Sequence, residues 1–342
     1  KETIVADFNI FENPNNATGF FGRKTTTYRN HVINKPREDK IYNTSSDIIV
    51  AEDAMKNDNQ FWDTIRHEPL NQKEIGIFNM VDSIKNVRTF RTFYDIMNAI
   101  ITYYYVWGKF ELGPYFTLYS FNNVEGNRIR IGGRTSNKIS SKAMIESYIA
   151  YGTKDQRFKY GGNFIYVFDK NPRKAFTIDY KHDMEQLGQS VTAYREDNIL
   201  SSTFRRGPQY TLSMVNQFKT SYEHEWFQGF SNTVQFKQRE QFPFINQQFV
   251  LFNDFGTSDY YSSFITSEIS LYTRFAYNEK FVMGEFERIS LGTQYPIINL
   301  TATVGLRNIF GSQFSFQKLQ LTINHWFNTY PLGYGKYIID AG

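Results

Sequence analysis

The chain has 342 residues, with 38 Lys and Arg against 34 Asp and Glu, and it carries 33 Phe, 24 Tyr and 4 Trp. Its charges are scattered rather than gathered in a basic stripe, which speaks against a nucleic-acid partner, and the absence of cysteine excludes disulfides, thiolate zinc sites and a cysteine nucleophile. So many rings beside a negative mean hydropathy mean that aromatic and polar residues are interleaved, as in strands with two unlike faces.

The most apolar stretch, Ile96 to Trp107, is interrupted by Asn98 and Thr102 and is shorter than the roughly 20 residues a spanning helix needs. A lipid-embedded chain of this kind can only be a closed barrel, because hydrocarbon leaves an open strand edge unsatisfied.

Lys1 is followed by no apolar signal core and there is no initiator Met, so the sequence reads as beginning inside a longer or processed protein. Residues 1–113 are expected to form a periplasmic lead segment, divided from the rest at Gly113-Pro114. In it, Glu2 to Ile10 and Thr25 to Ile33 read as a strand pair around Asn13-Pro14-Asn15-Asn16, with Gly19 beyond that loop. Lys35 to Asn59 is polar and irregular. Asn71 and Glu74 form a capping-box pattern that opens a short helix after Leu70, with Ile77, Val81 and Ile84 on one face and Gly76 as its weak point. Thr89 to about Tyr103 has helical spacing through Phe93, Met97, Ile100 and Ile101. Its aromatic end, Tyr103 to Trp107, suits a membrane interface; an ordinary amphipathic helix or strand packed on a barrel mouth is the equal alternative.

From Tyr115 onward, strand-like segments of roughly ten residues recur, the length of tilted transmembrane strands. Residues 114–342 are therefore expected to form an all-β, antiparallel transmembrane barrel of about ten strands in this chain. Tyr210, Leu212, Met214 and Phe218 alternate with Thr211, Ser213, Gln217, Lys219 and Ser221, and Phe158, Tyr160, Phe164, Tyr166 and Phe168 share a face. These two aromatic and aliphatic sets are the candidate lipid-facing residues. Phe176, Ile178 and Tyr180, then Phe230, Val234 and Phe236, then Leu319, Leu321 and Ile323 repeat the pattern, and their charged neighbours would point into the lumen.

Asp169 to Arg173, with Asn171-Pro172, reads as a short turn, whereas Gln186 to Gly207 and Glu240 to Tyr261 read as long polar loops, the asymmetry of an outer-membrane barrel. Register is least defined from Phe281 to Leu306. Leu332 to Gly342 reads as a strand still in progress, so the barrel is expected to be unfinished at the last residue. A soluble sandwich or a sugar-binding β-protein would also alternate; strand length and the aromatic load favour the membrane.

Glu125 to Thr135 is the densest functional pattern. Gly126, Gly132 and Gly133 permit turning, bulging or close backbone approach, and Arg128, Arg130 and Arg134 alternate onto one strand face. Arginines inside a barrel need carboxylates or water, and Glu125, Glu146 and Asp155 are the nearest candidates in sequence. Interior ion pairs that hold the barrel's shape are the simpler reading; gating or substrate passage is the other. His182-Asp183 beside Asp179, and Glu223-His224-Glu225, are the two hints of metal or acid-base chemistry. On a strand Glu223 and Glu225 share a face while His224 points away, an awkward arrangement for a metal. No nucleophile elbow, His-Glu-x-x-His motif or phosphate-cradling loop occurs, and Ser and His residues of the kind used by outer-membrane lipases are not convincingly paired. No catalytic, cofactor or metal site is expected.

Phe61-Trp62-Asp63-Thr64-Ile65-Arg66, Leu70 to Ser83 with Glu74 and Asp82, and Gly108 to Pro114 carry a family resemblance. Asn123 to Thr135, Tyr148 to Asp155 and Phe158-Lys159-Tyr160-Gly161 extend it, with weaker similarity through Tyr330 to Gly342. In these patches the chain resembles a family of uncharacterised Bacteroidota outer-membrane barrels that follow a carboxypeptidase-regulatory-like domain. The family is distantly similar to barrels that insert proteins into the outer membrane or translocate them across it. This sequence lacks the regulatory-like domain and the Val-Arg-Gly-aromatic loop motif of the insertion barrels, of which Arg206-Gly207-Pro208 is a superficial echo. Family members continue past the position matching Gly342. The resemblance implies an outer-membrane location and a non-enzymatic role in envelope biogenesis, with outer-membrane lipid and other assembly or translocation proteins and lipoproteins as partners. A passive or selective channel and a surface binding scaffold are the alternatives.

Overall fold

The computed structural model describes residues 2–9, 19–26, 32–36, 59–66, 68–186, 212–243, 248–252, 258–284, 286–331 and 333–342. The chain divides into two compact units near Ile84 and Lys85.

In the first unit, β1 (Glu2–Asn9) pairs antiparallel with β2 (Gly19–Thr26), Glu2 opposite Thr26 and Asn9 opposite Gly19. The partner strand thus lies ahead of the expected Thr25 to Ile33, a register that closes the hairpin with a shorter connection. Helix α1 (Asn59–Ile65) was not foreseen, and the expectation for Lys35 to Asn59 falls mostly outside the described residues. Helix α2 (Gln72–Asn86) begins with the expected capping box: Glu74 N–H donates to Asn71 Oδ1, and Asn71 N–H donates to Glu74 Oε2, each at 2.9 Å. Its Ile77, Val81 and Ile84 are all exposed.

The second unit opens with α3 (Arg88–Thr102), β3 (Tyr105–Trp107), β4 (Phe110–Leu112) and a single 3-10 turn at Tyr115–Thr117. There follow β5 (Tyr119–Asn122), β6 (Gly126–Thr135), β7 (Ala143–Gly152), β8 (Phe158–Lys170), β9 (Arg173–Gln186), β10 (Leu212–Phe227) and β11 (Phe230–Gln241). The hairpin β12 (Phe249–Phe252) with β13 (Ser258–Tyr261) precedes β14 (Phe264–Ala276), and the hairpin β15 (Lys280–Met283) with β16 (Arg288–Gly292) precedes β17 (Ile297–Gly305), β18 (Phe316–Asn328) and β19 (Tyr334–Ala341).

Thirteen strands form one antiparallel sheet, in chain order from β3 to β19 once the two hairpins are left aside. Eleven of them follow Tyr115 (13 minus β3 and β4), close to the expected count; β3 and β4 join the sheet ahead of the expected division at Gly113. The sheet is open, with β3 and β19 as its edges, and the protein is mostly antiparallel β with a few helices.

Two-residue turns at Asn171-Pro172 and Gln228-Gly229 mark one end of the sheet. Gly229 has φ +84°, and a Cβ there would lie 2.2 Å from the Ala276 carbonyl oxygen, so this turn accepts only glycine. That end is not uniformly short: the β14–β17 connection carries β15 and β16, which pair antiparallel with Val282 opposite Ile289 and Met283 opposite Arg288. At the other end, Glu240 and Gln241 still belong to β11, and the expected loop beyond them holds the β12–β13 hairpin. The expected loop from Gln186 to Gly207 lies, after Gln186, outside the described residues.

Alternation assigns the faces. Ile129, Ile131, Ile145, Ile149, Phe158 and Phe168 lie on one face and are exposed, as are Leu271, Leu300 and Leu319 farther along. The opposite face holds Arg128, Lys159, Asp183, Gln217, Glu225 and Glu268, most of them buried. Burial is inverted relative to a soluble sandwich: Ile131 is 65% exposed, whereas Lys159 is fully buried. The apolar core is correspondingly small, consisting of Met144, Val167, Ala175 and Phe286, with Ile165 against it.

Candidate functional site

Strand β6 puts Gly126, Arg128, Arg130, Gly132 and Arg134 on the polar face and sends Gly133 to the other side, as a period of two requires. Its register sets Arg128 opposite Gly152, Gly132 opposite Tyr148 and Arg134 opposite Glu146.

Arg128 is the centre of the first cluster. It donates to Glu125 Oε1 at 2.9 Å and makes a bidentate pair with Asp183 on β9, at 2.7 and 2.8 Å. Tyr148 Oη also donates to Asp183 Oδ2, at 2.7 Å. Lys159, fully buried, lies between Glu125 Oε1 at 2.9 Å and Asp155. Asn122 Nδ2 donates to the other Glu125 oxygen at 2.7 Å. Two cations therefore face three carboxylates, each held by more than one donor or charge, the condition under which buried charge is tolerated.

Glycines shape the same place. The Tyr148 side chain passes over Gly132 and Gly161, where an added Cβ would come within 2.9 Å and 2.6 Å of it. The Arg130 guanidinium stacks 3.8 Å from the Tyr148 ring centroid, and its buried Nε has no hydrogen-bond partner, so the ring face is its main support. Arg134 donates to Glu111 Oε2 on β4 at 2.7 Å and lies 3.9 Å over the Tyr104 ring.

Of the carboxylates nominated from the sequence, Glu125 reaches Arg128, Asp155 takes Lys159 instead of an arginine, and Glu146 stands opposite Arg134 in the sheet. Asp183, Glu111, Lys159 and Tyr148 were missed as members of the network. Asp183 is 55 residues from Arg128, and three strand pairings separate them, so only the complete register discloses the contact.

A second cluster lies at the short-turn end. Arg173 donates its backbone N–H to Glu225 Oε2 at 2.9 Å, Nε to Glu223 Oε2 at 3.1 Å, and a terminal nitrogen to the Phe286 carbonyl at 2.8 Å. Arg288 on β16 donates to Glu225 Oε2 at 2.7 Å and lies 4.4 Å over the Phe281 ring. With Phe286 in the small apolar core, these contacts pin the β15–β16 hairpin to the polar face. Both carboxylates of Glu223-His224-Glu225 are thus engaged by arginine, while His224 lies on the apolar face beside Trp226. Likewise Asp183 belongs to Arg128, and His182 points the other way, stacked on Tyr160 at 5.2 Å. Among the described residues, no group of three or more His, Cys, Asp or Glu is placed to hold a metal ion.

On the apolar face, Phe158, Tyr160, Phe168 and Phe218 are exposed, and Phe164 and Tyr166 are half-buried. Leu212 and Met214 share that side by register but are buried, and Tyr210 lies outside the described residues. Toward the long-loop end a polar row crosses four strands: Tyr160 stacks on His182, His182 hydrogen-bonds Asn216, and Asn216 Nδ2 donates to Glu240 Oε2 at 3.0 Å. Toward the short turns, Phe168, Tyr222, Trp226, Phe227 and Phe230 form an aromatic row.

These features define a two-faced antiparallel β-sheet with an ion-paired polar face. The chain belongs to the family of unknown function DUF5686: the model of that family's C-terminal domain matches residues 96–342, which includes every strand of the large sheet. No curated protein and no solved structure matches the chain.

Proposed function

We propose that this chain forms part of the wall of a bacterial outer-membrane β-barrel, with its apolar face against lipid and its polar face lining the lumen. Inverted burial is the observation that carries the reading: Ile131 and Ile145 stand 65% and 55% exposed on the same sheet that buries Lys159 and Glu225. Two further features support it. Along β10, Asn216 in the polar row and Trp226, which lies beyond Tyr222 in the aromatic row, are ten residues apart; at about 3.3 Å per residue and a tilt of about 40°, that is a height of roughly 25 Å, comparable to an outer-membrane barrel's lipid-facing zone. Among the described residues no helix is long and apolar enough to cross a membrane, so any crossing falls to strands. In lipid the edges β3 and β19 would take further strands to satisfy their backbone groups.

Within that barrel we assign a non-enzymatic role in envelope biogenesis, as an insertion or translocation barrel or as an accessory subunit of such a machine. The resemblance of Asn123 to Thr135 and its flanking patches supports this role. So does the state of the polar face, where Arg128, Lys159, Arg173 and Arg288 are already compensated by carboxylates and a hairpin lies across the short-turn end. A passive channel is the second reading, and it would require that hairpin to leave a free path.

Heat-modifiable electrophoretic mobility and recovery in the outer-membrane fraction are expected; recovery as a soluble periplasmic protein would overturn the membrane reading. Depletion is expected to lower particular outer-membrane or surface proteins, and an unchanged membrane proteome would overturn the biogenesis role. Steady open conductance in planar bilayers would favour the channel.

A further inference from the structure

Helix α3 presents the wrong side to the rest of its unit for an ordinary packed helix. Phe90, Phe93, Tyr94, Met97, Ile100 and Ile101 fall on one face, at the spacing of a helical stripe, while Arg88, Arg91, Asp95, Asn98 and Thr102 fall on the other. An amphipathic helix packed on a protein buries the first set. Here Phe93 is 61% exposed and Ile101 69% exposed, no residue of the helix is buried, and the least exposed positions are Asp95, Asn98 and Ala99 on the polar side. The apolar stripe therefore faces outward, toward whatever medium surrounds the unit.

The helix does not stand apart from the sheet. Tyr103, with φ +67°, turns the chain out of α3 directly into β3, whose Tyr105 and Trp107 alternate onto the exposed apolar face. The Tyr103 ring packs edge-on against Phe116 at 5.3 Å, fixing the junction. Ser136 N–H donates to the Lys109 carbonyl, which sets the β3–β4 turn beside the β6–β7 connection, at the same end of the sheet as the two-residue turns. The stripe thus continues the apolar face of the sheet near its short-turn rim. Arg88 and Arg91, on the polar side near the helix start, are placed to meet phosphate groups.

We propose that α3 is an in-plane membrane anchor, lying along the headgroup boundary of the leaflet at the short-turn end, with Phe90, Phe93, Tyr94, Met97, Ile100 and Ile101 among the acyl chains. This proposal rests on the membrane reading of the sheet and adds a second, helical contact with the same bilayer. Burial of such a stripe by about 5–10 Å is the usual depth of an interfacial helix. The anchor would fix the height of the first strands before the sheet crosses, because β3 leaves the helix after two residues.

The absence of cysteine makes the test direct, since any introduced thiol is unique. Single variants Phe93→Cys, Met97→Cys, Ile101→Cys, Arg91→Cys and Asn98→Cys, with Ile149→Cys as a reference on the sheet, would be spin-labelled in the full chain. The labelled chain would be reconstituted in vesicles of phosphatidylethanolamine and phosphatidylglycerol, and collision with oxygen compared with collision with a water-soluble nickel chelate. The expected oxygen-to-nickel ratio is severalfold higher at 93, 97 and 101 than at 91 and 98, with 149 also high. If 149 reports lipid while 93, 97 and 101 report water, or are shielded from both probes by protein, the anchor is overturned and the sheet reading stands. If 149 itself reports water, the membrane reading fails and the anchor falls with it. Three positions on one exposed stripe keep the result decisive if any one variant fails to assemble.

Discussion

The Arg128 cluster and the Arg173 cluster lie on the same polar face and use the same groups, arginine between paired carboxylates, yet they hold different things together. Arg128, Asp183, Tyr148 and Lys159 all belong to strands that are already joined by ladder hydrogen bonds, so their ion pairs reinforce a connected sheet. Arg173, Glu223 and Glu225 instead reach β16 and the Phe286 carbonyl, in a hairpin that no ladder hydrogen bond joins to the sheet. Identical chemistry therefore predicts two consequences: loss of the first should weaken the sheet, and loss of the second should release a hairpin while the sheet remains.

Asp183→Ala tests the first half of that contrast and should have the largest effect. It strips a buried arginine of its bidentate partner and Tyr148 of its acceptor, a loss of about 3–5 kcal/mol for breaking one side of a buried pair. The expected result is a marked drop in the temperature of thermal unfolding, and a variant as stable as the parent would dissolve the distinction between the clusters. Gly161→Ala comes next. Its Cβ would press on the Tyr148 ring, at 2.6 Å, and cost about 1–3 kcal/mol as overpacking; equal stability would mean that the ring is free to move aside. Arg288→Ala should cost less, about 1–2 kcal/mol, because Glu225 keeps the Arg173 N–H. Its signature is spatial: amide exchange should rise across residues 280–292 with no change in β6 to β9, and a rise in both would show that the hairpin braces the whole sheet. Lys174→Ala should have the smallest effect, within about 0.5 kcal/mol, since its pair with Asp169 at 3.0 Å is largely exposed.

What the sequence discloses about these clusters follows from how far each signal travels. The two-residue period assigns Arg128, Arg130 and Arg134 to one face and Phe158, Tyr160 and Phe168 to the other without knowledge of any neighbour, and the structure places them so. The Asn71 and Glu74 box is equally local. Asp183 is not legible in this way, because its meeting with Arg128 depends on register summed over three pairings, and each residue of slip would turn a side chain to the opposite face; Glu111 meets Arg134 across the single β4–β6 pairing, which is hidden because β4 is three residues long and β5 intervenes in the chain. The β15–β16 hairpin was obscured for a related reason: its short β-type segments look like another strand of the large sheet, and only the pairing of β14 directly with β17 excludes it. Leu212 and Met214 show a third limit, since alternation reports which side a residue is on and not what covers it.

The bond between Arg128 and Asp183 also constrains curvature. β6 and β9 are separated by β7 and β8, so in a flat sheet their backbones would stand about 14 Å apart, with a further offset of two residues along the strand. An arginine and an aspartate extended toward each other fall short of that diagonal, yet their atoms meet at 2.7 Å. The four strands must therefore bend toward their polar side, and the inward positions Gly126, Gly132, Gly152 and Gly161 thin that side enough to let them. Two of these glycines, Gly132 and Gly161, are the ones that seat Tyr148, so the ring and the bend of the sheet depend on the same positions.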